Sequence, residues 1–466
     1  MKRFAALLAT TSLLAACGTV GPNYRPPSAQ QLAVPDAYFG AAPSPSPAEL
    51  QDWWKQLRDP ELDSIVARAI AGNLDLTVAE TRLRQAREAL VQARASLLPQ
   101  VSATGSVGRS QDVKGNGHNS FSVGGDASWE ADLFGGISRG IEAAGAEAQS
   151  TGYDLASVRV ATVGEVVTNY VQARLAQQQL AIARATLVTQ DDNLQIARWR
   201  VQAGLVSSID IEQARGQRAQ TAATIPTFEN QFSAAVFRLG VLTGQAPASL
   251  MAELQAPAPI PRPPADIATG IPADTLRQRP DVRAAERTLA AQTARIGVAE
   301  AQLRPRLTLG GNIGASAFAL GSLVDTLGGS LLASLGQVLF DGGRLRSQVR
   351  GQQAAAEGAL ATYRQTVLTA LEDVENGLSA LRTAKARQAE YAVALDAANN
   401  QAILARSQYR AGLSDFQTLL EAERALLSAR QGLLGSQADQ SLAIVQLYRA
   451  LGGGWNPALS PQDMTR

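Results

Sequence analysis

Val367, Leu371, Val374, Leu378 and Leu381 recur at spacings of four, three, four and three. That rhythm is the seam of a helix packed side by side with others. Val160, Val163, Val167, Val171 and Leu175 make a second stripe of the same kind. Elsewhere on these segments Ala, Gln and Arg occupy nearly all faces, so the helices either bridge solvent or line a water-filled space. The seams belong to two very long helices, over 138–201 and 344–410. At about 1.5 Å per residue, each is a rod of about 90–100 Å. A shorter helix precedes each, Asp75 to Leu97 and Asp281 to Leu303, and Pro99 and Pro305 stop them. A Gly-Leu turn and a final helix follow each, over 208–242 and 415–451.

Between short and long helix the period changes from 3.5 to 2. Leu307, Leu309, Gly311, Ile313, Ala315 and Ala317 alternate with Thr308, Gly310, Asn312, Gly314 and Ser316. Phe121, Val123, Ala127, Trp129 and Ala131 alternate likewise with Ser122, Gly124, Asp126, Ser128 and Glu130. Apolar-out, polar-in alternation over about ten residues marks a transmembrane β-strand. An ordinary amphipathic hairpin would show the same pattern. Val101 to Val107 and Leu331 to Leu339 read as the partner strands, less cleanly patterned. Four strands cannot close a barrel with a lumen, and open edges are not tolerated in lipid. Three chains would supply twelve strands and twelve helical segments. The expected fold is therefore mainly α, a coiled-coil α-helical barrel joined to a 12-stranded membrane β-barrel, built by a homotrimer.

The pattern is written twice. Asp75 and Asp281 lie 206 positions apart, and so do Glu80 and Glu286, Leu83 and Leu289, Pro99 and Pro305, Phe134 and Phe340. Farther on, Ala203-Gly204-Leu205 aligns with Ala411-Gly412-Leu413 at 208. Such a register indicates duplication of a whole supersecondary unit. The first repeat is placed at 73–255 with its hairpin at 98–131, the second at 279–455 with its hairpin at 305–340. Between them, 256–278 opens with Ala256-Pro257-Ala258-Pro259-Ile260-Pro261-Arg262-Pro263-Pro264, a stiff extended linker. A tail over 456–466 ends the chain.

Composition narrows the function. A net charge of +1 argues against an electrostatic grip on nucleic acid. Aromatics at 5% favour an elongated helical body over a compact enzyme core. Residues 1–16 read as a signal peptide with Lys2 and Arg3 at its head. It ends in Leu14-Ala15-Ala16-Cys17, which resembles a bacterial lipobox that leaves an acylated Cys17 at the new N-terminus. Cys17 is the sole cysteine, so no disulfide forms within the chain. Residues 17–72 are then a lipidated tether and equatorial segment, with Pro43-Ser44-Pro45-Ser46-Pro47 extended. His118, the sole histidine, reads as an exposed loop residue after Gly115-Asn116-Gly117. The sequence holds no Cys/His metal cluster, nucleophile elbow or phosphate loop, so neither catalysis, cofactor nor metal is expected.

Seven motifs in order resemble one family. They are Gly21-Pro22-Asn23-Tyr24-Arg25-Pro26, Trp53-Trp54, Asp59-Pro60-Glu61-Leu62-Asp63, Arg279-Pro280-Asp281-Val282-Arg283-Ala284-Ala285-Glu286, Ile296 to Ala301, Leu339-Phe340-Asp341-Gly342-Gly343, and Tyr448 to Trp455. Together they resemble the TolC/OprM-like outer-membrane efflux factors, in the lipoprotein branch serving drug pumps. Leu303-Arg304-Pro305 departs slightly, since the family often has an aromatic before that proline.

The resemblance implies a trimeric duct in the Gram-negative outer membrane. It would work with a periplasmic adaptor (membrane fusion) protein and an inner-membrane RND-type transporter to export drugs and other small toxic molecules. It places Gly204, Leu205, Gly412 and Leu413 at adaptor-docking tips, where glycine also caps long helices. It places Tyr409 and Arg410 at constricting bonds of the periplasmic gate. Glu421 would stand in an acidic ring, or on the solvated face of a charged helix. Gln417 stands where drug-pump relatives carry an apolar gate residue. A type I protein-secretion duct, and a periplasmic coiled-coil scaffold without a pore, are the competing readings.

Overall fold

The computed structural model describes residues 18–39, 50–111, 117–262 and 272–457. The signal segment, Cys17, the 43–47 tether, Gly115, Asn116, Pro263 and Pro264 lie outside the described residues.

Helix α1 (Pro60–Gly72) precedes the first repeat, which contains α2 (Leu74–Ala95), β1 (Gln100–Gln111), β2 (Gly117–Ala131), α3 (Gly136–Gln202) and α4 (Ile209–Leu242). Short helices α5 (Met251–Leu254) and α6 (Pro272–Gln278) follow. The second repeat contains α7 (Pro280–Ala301), β3 (Arg306–Ala317), β4 (Gly328–Gly336), α8 (Arg344–Arg410) and α9 (Phe416–Ala450).

Local chemistry sets the boundaries. Asp59 accepts from the amides of Glu61 and Leu62, with Pro60 opening α1. Asn73 caps α2 through the amides of Asp75 and Leu76, and its own amide donates to Leu242 O at the end of α4. Gly135 at φ 75° and Gly343 at φ 89° turn the chain from sheet into α3 and α8. Asp132 and Asp341 then accept the first helical amides, those of Ile137 and Leu345 among them. Each long helix has 67 residues, about 100 Å of rod.

The four strands form one antiparallel sheet in chain order. Both hairpins are joined through β2 and β3, with Trp129 opposite Leu309 and Phe121 opposite Ala317. Among the described residues, the outer edges of β1 and β4 carry no strand of this chain. No helix among the described residues is long and apolar enough to cross a membrane.

The main core sits at the waist, where the 3-10 turn Trp53–Leu57 and α1 enter between the long helices. Trp53 stacks on Tyr448 at 4.9 Å, among Leu62, Ile65, Val66, Val163, Val167, Tyr170 and Leu447. Both sequence seams reach this core through Val163, Val167 and Val171 on α3 and Val374 and Leu381 on α8, while Val160 packs in a cluster with Trp455 and Val367 in one with Tyr363. Arg174, also buried, donates to Glu61 and to the carbonyl of Ala256, tying α1 and the linker to α3.

Two expectations need correction. The second hairpin does not run to residue 340: β4 ends at Gly336, because the chain must turn toward the Asp341 cap. The 206 register, read from sequence as far as Phe134 and Phe340, gives way to 208 already within the hairpins. Gln100 pairs with Ser128 and Arg306 with Gly336, and α3 and α8 also begin 208 positions apart. Past the Ala256–Pro264 run, the linker forms α6 from Pro272, where a helix needs no amide.

Candidate functional site

Far from the sheet, α3 turns into α4 and α8 into α9, and both turns close in the same way. Gly204 at φ 69° and Gly412 at φ 75° adopt the left-handed conformation that side chains resist. Gly204 N donates to Val201 O and Leu205 N to Arg200 O; Gly412 N donates to Tyr409 O and Leu413 N to Gln408 O. The next side chains, Leu205 and Leu413, project into solvent, 68% and 79% exposed. The four tip residues thus form two similar knobs, each an apolar side chain on a rigid glycine cap.

Between the turns lies a lock. Arg200 of α3 donates through Nη1 to Tyr409 O at 2.8 Å, and its guanidinium covers the Tyr409 ring at 4.5 Å. Tyr409 is buried, with the Phe416 ring edge-on at 5.5 Å. Burial pushes its phenol up; Asp210 adds to this and Arg200 opposes it. Burial also pushes the Asp210 carboxyl up, with Arg200 opposing and Asp415 reinforcing the rise. Asp415 caps α9 by accepting from the Thr418 amide at 2.8 Å and hydroxyl at 2.6 Å, which holds its carboxyl below the usual range.

Of the gate residues read from sequence, Gln417 and Glu421 come together, Gln417 Nε2 donating to Glu421 Oε1 at 3.0 Å. Gln213 of α4 donates to Gln417 at 3.4 Å, so this pair also bridges the two hairpins. Both side chains are exposed on α9. Tyr409 and Arg410 do not share a face: Tyr409 points into the protomer, Arg410 outward.

A second polar layer lies deeper along the same helices. Asn193 of α3 donates to both Glu423 carboxylate oxygens at 2.7 Å, and Arg406 of α8 reaches Glu423 at 3.2 Å. The Glu423 side chain is only 9% exposed. Sequence reasoning missed Arg200, Asp210, Asn193, Arg406 and Glu423. One signal was available: Asn193 and Arg200 lie one heptad apart on α3, polar residues at seam spacing. Arg279 proves to be a staple, donating to Asp281, Asp373 and Ala450 O. His118 stands on exposed β2, its ring 6.1 Å from Phe318.

Comparison with known proteins places this architecture. The family model for outer membrane efflux protein matches twice, over residues 65–245 and 271–453. Nodulation protein T of Rhizobium leguminosarum bv. trifolii is 32% identical over 96% of both chains. The pyoverdine export outer membrane protein OpmQ of Pseudomonas aeruginosa is 31% identical, again over 96% of both. The solved outer-membrane channel OprN superposes with a TM-score of 0.85 at 35% identity, covering 94% of this chain and 99% of its own. The chain therefore belongs to the outer membrane efflux protein family and has the fold of its TolC-like channels.

Proposed function

We propose that three copies of this chain assemble into a passive exit duct, the outer-membrane part of a tripartite pump for drugs and other small toxic molecules. The observation that carries this reading is one sheet whose two edges are unfilled among the described residues, on a pair of rods about 100 Å long. A four-stranded sheet in lipid must find strands elsewhere, and β4 of one copy can take β1 of the next around a threefold axis. Twelve strands leave a lumen, and the long polar helices continue it as a tunnel.

The tips divide two tasks. Leu205 and Leu413 on their glycine caps dock a periplasmic adaptor, while the Arg200–Tyr409 lock and the Gln417–Glu421 pair hold the tunnel mouth shut. Energy and substrate choice come from an inner-membrane transporter of RND type. Cys17 carries the lipid that fixes the N-terminal strap to the outer membrane. Relatives named for pyoverdine export and toluene efflux support a small-molecule cargo.

Two measurements test the reading. The detergent-solubilised protein should have the mass of three chains, and deleting its gene should raise sensitivity to dyes, detergents and antibiotics. A single-chain particle, or loss of a secreted protein with unchanged sensitivities, would refute it.

A further inference from the structure

The strand register sorts the sheet into two faces. One carries Val101, Val123, Ile313 and Leu331, all more than half exposed. Lipid covers that face in the proposed barrel, which leaves the other to line the bore. Across this second face the registers run level from strand to strand. Ser102 pairs with Asp126, Asp126 with Asn312 and Asn312 with Ser330, so each of the four strands adds one polar side chain to the same row. Asn312 Oδ1 accepts from the Ser330 amide at 3.2 Å and hydroxyl at 2.9 Å, which ties one end of the row. The adjoining row is Thr104, Gly124, Gly314 and Gly328, almost bare backbone. Charge is scarce on these strands, where only Arg109, Asp126, Glu130 and Arg306 carry it. Glu130 and Arg306 stand 3.8 Å apart at the end nearest the helices. Arg109 shares the apolar face with Val107, toward the opposite end. Asp126 is exposed and has no ionic or hydrogen-bonding partner among the described residues.

We infer that Asp126, three to the barrel, selects by charge in the outer bore and favours cationic solutes over anionic ones. This rests on the trimeric reading and names the class of cargo that the sheet passes most readily. Twelve strands at a spacing of about 4.8 Å, tilted by about 40°, close on a backbone radius of about 12 Å. Three carboxylates reaching inward to roughly 10 Å from the axis change the local concentration of a monovalent ion about fourfold at an ionic strength of about 0.01 M, upward for a cation and downward for an anion. At about 1 M the Debye length falls to about 3 Å, and the effect vanishes. Ser102, Asn312 and Ser330 offer hydrogen bonds to solutes of any charge, so Asp126 alone discriminates within the row. Carboxylates this far apart cannot share one ion, so the row filters passing solutes and holds none.

The test places a thiol in the same row, Ser102→Cys, opposite Asp126 on the neighbouring strand. The full chain in detergent is treated with a cationic and an anionic methanethiosulfonate of similar size, and the wild-type chain reports any reaction at Cys17. At about 0.01 M salt the cationic reagent should gain about tenfold over the anionic one, relative to their rates on free cysteine. Adding Asp126→Asn, or raising the salt to about 1 M, should bring the ratio back to that of free cysteine. An unchanged ratio in Ser102→Cys/Asp126→Asn would overturn the filter. Native mass of the same sample separates the two readings. A three-chain particle with a charge-blind thiol overturns the filter and leaves the duct standing; a single-chain particle overturns both. Asp126→Asn alone should also lower the cation preference of channels in planar bilayers at the lower salt, and a preference equal to wild type would count against it.

Discussion

Arg200 and Tyr409, on different hairpins and 209 positions apart, are joined at 2.8 Å by a charged donor and a main-chain carbonyl. Because the acceptor is backbone, no substitution of Tyr409 removes it; only Arg200 can be disarmed. A hydrogen bond to a charged group contributes about 1.5–3 kcal/mol, or roughly ten- to a hundredfold in an opening equilibrium. Arg200→Ala should therefore raise the leak of purified channels in planar bilayers by about tenfold or more. Arg200→Lys should fall between, since a point charge lacks the flat fork that covers the ring. Wild-type leak in Arg200→Ala would remove this lock from the gate.

Glu423 answers two donors from two helices in near-complete burial. Glu423→Ala leaves Asn193 and Arg406 facing each other without an acceptor, at a cost of about 1–3 kcal/mol. A lower thermal midpoint is expected, with Glu423→Gln closer to wild type because it keeps one acceptor. An unchanged midpoint in Glu423→Ala would show that water serves both donors equally well.

Two carboxylates at the tip respond to pH in opposite senses. Asp415 is held below its ordinary value of 3.8 by Thr418. Its contribution is full above that value and is lost as pH falls through the lowered one. Asp210 is raised above 3.8 by burial. Its folded state favours the proton, so its contribution is greatest below the ordinary value and declines as pH rises through the raised one. Thermal midpoints followed from neutral to acid pH should lose the acid-side fall in Asp415→Asn and the opposing slope in Asp210→Asn. Parallel profiles in all three proteins would contradict the assignment.

Capping and docking at the tips can be separated. Gly204→Ala meets no atom within 4 Å, so it costs only the left-handed backbone penalty of about 1–2 kcal/mol. Leu205→Asn leaves every backbone bond of the cap in place and removes the exposed apolar side chain. Capture of the adaptor should fail in Leu205→Asn and weaken in Gly204→Ala, with both proteins still trimeric. Full adaptor binding by Leu205→Asn would leave the turn with the cap alone.

Glu421→Ala removes both the acceptor of Gln417 and the negative charge proposed to line the mouth. Higher closed-state conductance and weaker cation preference are expected. Conductance and selectivity equal to wild type would return Glu421 to an ordinary solvated helix face.

Much of the fold was legible because its rules are local. The heptad of Val367, Val374 and Leu381, the alternation from Leu307 to Ala317 and the glycines before each long helix are periodic or conformational signals. Asp59-Pro60-Glu61 is an equally plain helix start, although the sequence reading leaves α1 undivided within the tether and equatorial segment of 17–72. The lock was illegible for a different reason. Arg200 meets Tyr409, and Asn193 meets Glu423, across separations of more than two hundred residues, and only packing of the two hairpins brings them together. Tyr409 was found through family likeness, which gave its position but not its inward direction. Pro226 lies inside α4 without ending it, a place where tertiary packing overrides the local preference.

On the proposed reading, the unbroken length of α8 puts the gate at the far end of a lever. The turn at Gly343 lies at one end of the arm and Tyr409 at the other. Over about 100 Å of helix, a tilt of one degree displaces the tip by roughly 1.7 Å, enough to part a hydrogen bond. On that reading, a pump opening the proposed duct needs no large rearrangement of its wall, only a small change of angle delivered where the arm is longest.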